Sequence, residues 1–183
     1  MPKLTRTQWI VLAALLVIVL SIAVIVHERI SPAGVFADLQ HDLVAIDPPE
    51  GLEYTDLSGN IVNLRDFRGK PIIINAWASW MPFSAQELPL LDAIAGEYGD
   101  RITVIAINRM EERTLAGAYL GTLPQLSHLH VLTDPADTFF KGVGGYAMPE
   151  TVVYAADGSI AFHTRGVVVE AELRAALDAL LAK

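Results

Sequence analysis

The sequence predicts an α/β fold, a mixed sheet with helices on both faces, carried behind one N-terminal membrane-spanning helix. Three observations predict it. An uncharged 18-residue apolar run, WIVLAALLVIVLSIAVIV, spans Trp9 to Val26. Beyond it, short β-rich runs alternate with segments of helical periodicity. The chain then closes with a hairpin signal and a final amphipathic helix.

The elements follow in order. At ~1.5 Å per helical residue the Trp9–Val26 run reaches about 27 Å, close to the roughly 30 Å hydrocarbon core of a bilayer. A cleaved signal peptide is the competing reading, with Val35-Phe36-Ala37 imitating a cleavage site. Signal peptides, however, carry apolar regions of only about 7–15 residues, which favours an uncleaved anchor. Lys3 and Arg6 precede the run and only His27, Glu28 and Arg29 follow it closely. The positive-inside rule therefore keeps residues 1–8 in the cytoplasm and exports the rest. Residues 27–50 hold Ser31-Pro32, Ala33-Gly34 and Pro48-Pro49 without a sustained period, and read as a tether. Residues 51–183 form the folded domain.

Within that domain, Leu52–Thr55 and Ile61–Leu64 flank Ser58-Gly59-Asn60 as a short hairpin. Pro71–Trp77 is a continuous apolar run of the kind found in a strand buried on both faces. Leu88, Leu91, Ile94 and Tyr98 recur at helical spacing, with Gly99 placed to end that helix. A second strand is expected over Ile102–Ile107, a helix over Thr114–Leu123, a short strand over Leu129–Leu132 and a short helix over Asp137–Lys141. Thr151–Ala155 and Ile160–Thr164 bracket Asp157-Gly158, a strong hairpin signal. Leu173, Ala176, Leu177, Leu180 and Leu181 mark the closing helix.

Charge excludes some partners. The formal net charge is −8, and residues 1–30 contribute Lys3, Arg6 and Arg29 against Glu28, so the remainder carries −10. Nucleic acid is a poor partner for such a domain. The sequence contains no cysteine.

The stretch Gly69-Lys70-Pro71-Ile72-Ile73-Ile74-Asn75-Ala76-Trp77-Ala78-Ser79-Trp80-Met81-Pro82-Phe83-Ser84-Ala85-Gln86-Glu87-Leu88-Pro89 resembles the active-site segment of the TlpA/ResA-type membrane-anchored thiol–disulfide oxidoreductases. In that family a buried strand leads into W-C-x-x-C at a helix N-terminus. Tyr146-Ala147-Met148-Pro149-Glu150-Thr151 is similar to its second hallmark, a loop with a cis-proline facing the cysteine pair. The resemblance runs from about residue 48 to the C-terminus and implies a thioredoxin-like fold. It also implies a groove near Pro149 that holds an extended polypeptide, in the setting of redox maturation of exported proteins.

Met81 and Ser84 stand where the family has its two cysteines. Disulfide exchange needs a thiolate nucleophile and a second sulfur to resolve the mixed disulfide. A thioether cannot supply the first, and no histidine lies near Ser84 in sequence to activate its hydroxyl. No catalytic residue and no cofactor are therefore assigned, and the chain reads as a pseudo-enzyme that binds a polypeptide. The candidate binding residues are Trp80, Met81, Pro82, Phe83, Ser84, Glu87, Met148 and Pro149. Glu87 matches the family's active-site glutamate, although as a first-turn carboxylate it is also favoured by the helix dipole. Pro89 is expected to kink or re-aim the helix.

Three methionines besides Met1 suggest an alternative. If Met81, Met110 and Met148 converge at one sheet edge, three thioethers form a soft set suited to Cu(I). The same residues equally form a deformable apolar platform for a polypeptide. His128-x-His130 puts two imidazoles on one face of a strand without an evident third ligand. The acidic residues, including Glu111-Glu112, read as a solvated face.

Overall fold

The structure, a computed structural model, describes residues 53–182. The expected anchor and tether lie outside the described residues. Among those described, no helix is long and apolar enough to cross a membrane.

Seven strands form one mixed sheet: β1 (Tyr54–Asp56), β2 (Ile61–Val62), β3 (Ile72–Trp77), β4 (Thr103–Arg109), β5 (His130–Asp134), β6 (Glu150–Tyr154) and β7 (Ile160–Arg165). Their spatial order is β2-β1-β5-β4-β3-β6-β7. The helices are α1 (Ser84–Tyr98), α2 (Arg113–Leu120), α3 (Thr138–Gly142) and α4 (Glu170–Leu181). Strands β3, β4 and β5 are mutually parallel, while β6 runs antiparallel to β3 and β7 antiparallel to β6.

Every residue of β3 is buried, as its unbroken apolar run requires of a strand covered on both faces. Alternate side chains then enter different cores. Ile72, Ile74 and Ala76 join Ile105, Ile107, Leu132 and Val152 against Phe139 and Phe140 of α3. On the other face Ile73, Val104 and Val153 pack on Leu91, Ile94 and Tyr98 of α1 and on Leu173 and Leu177 of α4. Trp77 and Ala106 continue that face toward Leu88 of α1 and Ala116 of α2.

The expected elements are present, with shifted ends. Helix α1 starts at Ser84, four residues ahead of the first periodic leucine, and runs through Pro89. Strand β5 begins at His130 and extends to Asp134, because Thr133 and Asp134 are both buried. Thr133 Oγ1 donates to the Thr55 carbonyl at 3.1 Å. The Asp134 carboxylate accepts from the Phe139 N–H at 2.8 Å and the Thr138 hydroxyl at 2.9 Å, which ties the start of α3 to the strand.

Gly99 ends α1, its N–H donating to the Ala95 carbonyl. At φ 56° and ψ −139° it occupies backbone space that side-chain-bearing residues rarely adopt. No atom lies within 4 Å of where a Cβ would stand. Gly99→Ala is therefore expected to cost about 1–3 kcal/mol through backbone conformation alone. Urea unfolding would read this as a lower midpoint at unchanged m. A midpoint equal to that of the unsubstituted protein would refute it.

Candidate functional site at one edge of the sheet

Topology brings four loops to one edge. Strands β3 and β4 end side by side at Trp77 and Asn108. Strand β6 starts there, with Glu150 opposite Ala76, and β7 ends there, with Arg165 opposite Glu150. The segments that follow β3, β4 and β7, and the one that precedes β6, therefore surround the N-terminus of α1.

The first of these loops holds the family's two thiol positions. The Met81 N–H donates to the Ala78 carbonyl and the Ser84 N–H to the Met81 carbonyl, both at 3.2 Å. These bonds wind the chain into α1. Met81 is only 4% exposed and packs in the cluster of Trp77, Leu88, Ala106 and Ala116. Ser84 is fully buried and its hydroxyl donates to the Ala78 carbonyl at 2.8 Å. Its oxygen serves the turn, with no base beside it. Trp80, Pro82 and Phe83 face outward, Trp80 at 60% and Phe83 at 45% exposure.

Beneath this loop lies a polar knot inside the apolar core. Asn75 of β3 donates from Nδ2 to Glu87 Oε2 at 3.0 Å and to Thr151 Oγ1 at 2.9 Å. Glu87 Oε1 accepts the Val168 N–H at 3.0 Å. One carboxyl group thus joins β3, α1 and the segment after β7. Burial pushes the Glu87 carboxyl above its ordinary range, and the Val168 N–H and the Asn75 amide pull it partly back.

The peptide bond Met148–Pro149 is cis, as the resemblance implies. Met148 is half-buried and packs against the Met81 cluster as well as the core on the α3 face. Met110 stands apart: its side chain is 61% exposed, its φ is 58°, and its sulfur accepts from Arg109 Nη2 at 3.6 Å. Two of the three thioethers share a cluster, and the third is turned outward.

Two expectations are corrected. His128 precedes β5, and its ring lies over Gly96 of α1, whereas the His130 ring packs on Phe67 with centroids 4.9 Å apart. The two imidazoles diverge because each fills a different packing site. Among the described residues no three His, Cys, Asp or Glu side chains are grouped to hold a metal ion. Glu111 is not part of a solvated face but is 6% exposed. Its carboxylate accepts the Ser79 N–H at 2.8 Å, the Ser79 hydroxyl at 2.5 Å and the Asn108 amide at 2.6 Å. It braces the loop that carries Met81 from the β4 side.

Sequence reasoning also passed over Glu150, His163 and Arg165. Glu150 is fully buried, its Oε1 meets His163 Nε2, and Arg165 Nε lies 3.3 Å away as an ion pair. Their only sequence signal is a charged or ionisable residue at the inner positions of two strands that otherwise read as apolar.

Comparison with known proteins agrees with this geometry. The Redoxin family profile matches residues 33–180. A thiol:disulfide interchange protein DsbE of Vibrio cholerae is 29% identical over 150 residues, covering 74% of this chain and 79% of that protein. The thioredoxin-like protein YneN of Bacillus subtilis is 34% identical over 77 residues, which are 38% of this chain. That match spans 45% of the relative, so the chain aligns with under half of its length. Among solved structures, the exposed lipoprotein thioredoxin of Streptococcus pneumoniae superimposes with a TM-score of 0.63 at 24% identity, covering 70% of this chain and 98% of that one. At that identity the likeness establishes the thioredoxin-like fold.

The Glu87 knot yields a pH-dependent prediction. A carboxyl whose folded-state pKa is raised stabilises the native state fully below its unfolded value, and that contribution is lost as pH rises through the folded value. Glu87→Gln has no proton to lose. Reorientation of the Asn75 amide, whose Oδ1 has no partner, lets it accept from both the new amide and the Thr151 hydroxyl. The variant's stability relative to wild type is expected to rise as pH climbs from 4.5, the ordinary value, toward 7. Urea unfolding at the two ends of that interval measures it, and a pH-independent difference would refute it.

Proposed function

Because the chain belongs to the Redoxin family and contains no cysteine, we propose that it is a non-redox member that holds an extended or unfolded polypeptide at the four-loop edge. The observation that carries this reading is where the exposed apolar surface lies. Of the nine large apolar side chains exposed among the described residues, six, Trp80, Phe83, Met110, Tyr146, Val167 and Val169, belong to the loops of this one edge, while Leu57 and Ile61 lie on the β1–β2 hairpin and Leu115 on α2. Apolar side chains gathered in this way mark interaction surfaces, whereas scattered ones do not.

The backbone supports the same occupant. Among the described residues, the N–H and C=O groups of Ala147 and Met148 make no backbone hydrogen bond. An extended chain laid beside them would find donors and acceptors for its own main chain, with the exposed side chains on either side of it. Met148, half-buried at this edge, suits such a surface because a thioether on an unbranched stem adapts to varied apolar partners. The orientation expected of the N-terminal anchor puts this edge on the outer side of the membrane. A role in the maturation of exported proteins follows from that placement and from the thiol–disulfide chemistry named for the relatives. The name describes chemistry that needs a thiolate, and this chain has none.

Two experiments test the reading. The full-length protein is expected to reduce insulin disulfides no faster than buffer, while Met81→Cys with Ser84→Cys gains measurable exchange, since loop, helix N-terminus and proline loop are retained. Turnover by the cysteine-free protein would overturn the non-redox assignment. In the second experiment, reduced and carboxymethylated lactalbumin serves as a permanently unfolded probe. Trp80→Ser or Met148→Glu is expected to weaken its binding by at least about tenfold, a loss of ~1.4 kcal/mol at a central contact. Met81→Leu with Met148→Leu is expected to retain it, because volume-conserving apolar exchanges cost less than ~1.5 kcal/mol. Stoichiometric Cu(I) uptake, held against a competing chelator and lost in the leucine pair, would replace the polypeptide reading with a metal-handling one.

A further inference from the structure

The segment before β6 is pinned at its ends and open between them. The Gly145 N–H donates to the Phe140 carbonyl at 2.8 Å, and the Gly166 N–H donates to the Pro149 carbonyl at 2.7 Å. Between these anchors Tyr146 is 79% exposed, and neither Tyr146, Ala147 nor Met148 makes a backbone hydrogen bond among the described residues. Met148 packs its side chain on the cores beneath, and the Arg165 guanidinium lies over the Tyr146 ring, 4.8 Å from its centroid.

Arg165 is itself held from below. Its Nε lies 3.3 Å from Oε1 of the fully buried Glu150, the residue opposite it across the β6–β7 ladder. The same oxygen meets Nε2 of His163, whose side chain is 5% exposed. The Glu150 carboxylate pairs with Nε by charge without a hydrogen bond, and the plane of the guanidinium remains to carry an aromatic ring. A guanidinium over a ring is attractive through the ring quadrupole, and its flat shape makes it a stacking surface that an ammonium is not.

Resting on the reading of this edge as a polypeptide-holding surface, we infer that Arg165 is a positioning residue that sets Tyr146 against the bound chain. It also holds the open Ala147–Met148 backbone in place, with Glu150 and His163 as its anchor. Arg165 itself need not touch the polypeptide. Its effect runs through Tyr146, so the two residues act as one unit.

The test uses the full-length protein with Arg165→Lys, Tyr146→Leu and the double variant. Lysine keeps the charge facing Glu150 and loses the planar face, so the unfolding midpoint is expected to stay at the wild-type value. Each single change is expected to weaken binding of carboxymethylated lactalbumin about fivefold, and the pair to weaken it no further. Backbone order parameters from NMR relaxation at Tyr146, Ala147 and Met148 are expected to fall in Arg165→Lys while those of β3 hold. Wild-type affinity in Arg165→Lys, or a double variant in which the two losses multiply, would overturn the inference. If wild type binds no probe, the proposed function fails, and the positioning of the loop by Arg165 is then decided by the order parameters alone. Unchanged order parameters at the three loop residues in Arg165→Lys would overturn it, and lower ones would sustain the positioning of the loop.

Discussion

A strand covered on both faces leaves no water for a polar side chain, so Asn75, the one strongly polar residue in β3, must find its partners inside the protein. It finds Glu87 on α1 and Thr151 on β6, and Glu87 in turn reaches the Val168 N–H beyond β7. Each of these bonds leads to an element that borders the four-loop edge. The relative placement of the helix N-terminus, the proline loop and the last loop is thus set by a buried amide and a buried carboxyl. A second brace, Glu111 on Ser79, fixes the first loop from the opposite side.

The replacement of two cysteines leaves this frame whole. Met81 enters the apolar cluster beneath Trp77, and Ser84 turns its hydroxyl back to the Ala78 carbonyl. Neither presents a reactive atom to solvent. The outward positions between and around them, Trp80, Pro82 and Phe83, are apolar. The loop thus keeps its wound shape at the start of α1 and an apolar rim toward solvent.

Much of the fold was legible because it rests on periodicity. The β3 run, the leucine spacing of α1, the Asp157-Gly158 turn and the last helix each carry a local pattern. Element ends were less legible because they depend on partners distant in sequence. The first turn of α1 holds Ala85 and Gln86, both exposed, so the apolar rhythm starts only after the helix has begun. Thr133 and Asp134 lie beyond the expected strand end at Leu132, and only Thr55 and the start of α3, placed beside them, make them part of it. Of the site, the motif positions could be found in sequence, whereas the residues that hold them could not. Glu111 sits in a pair of acids that resembles a wet surface, and its bonds to Ser79, 32 positions away, and to the Asn108 amide make it structural. Glu150, His163 and Arg165 meet only when β6 and β7 pair.

The order of strands in the sheet also differs from their order along the chain. Strand β1 meets β5 through Thr55 and Thr133, 78 residues apart, and Asn75 waits 76 residues for Thr151. Closing such long loops costs entropy before any contact returns it, so these pairings form later than local ones. As the chain emerges, β3 and β4 can pair early, yet β3 keeps one edge bare until β6 arrives. Until β6 is in place, the apolar strand at the centre of the sheet is a half-paired edge, so the fold closes only when its C-terminal third has been added.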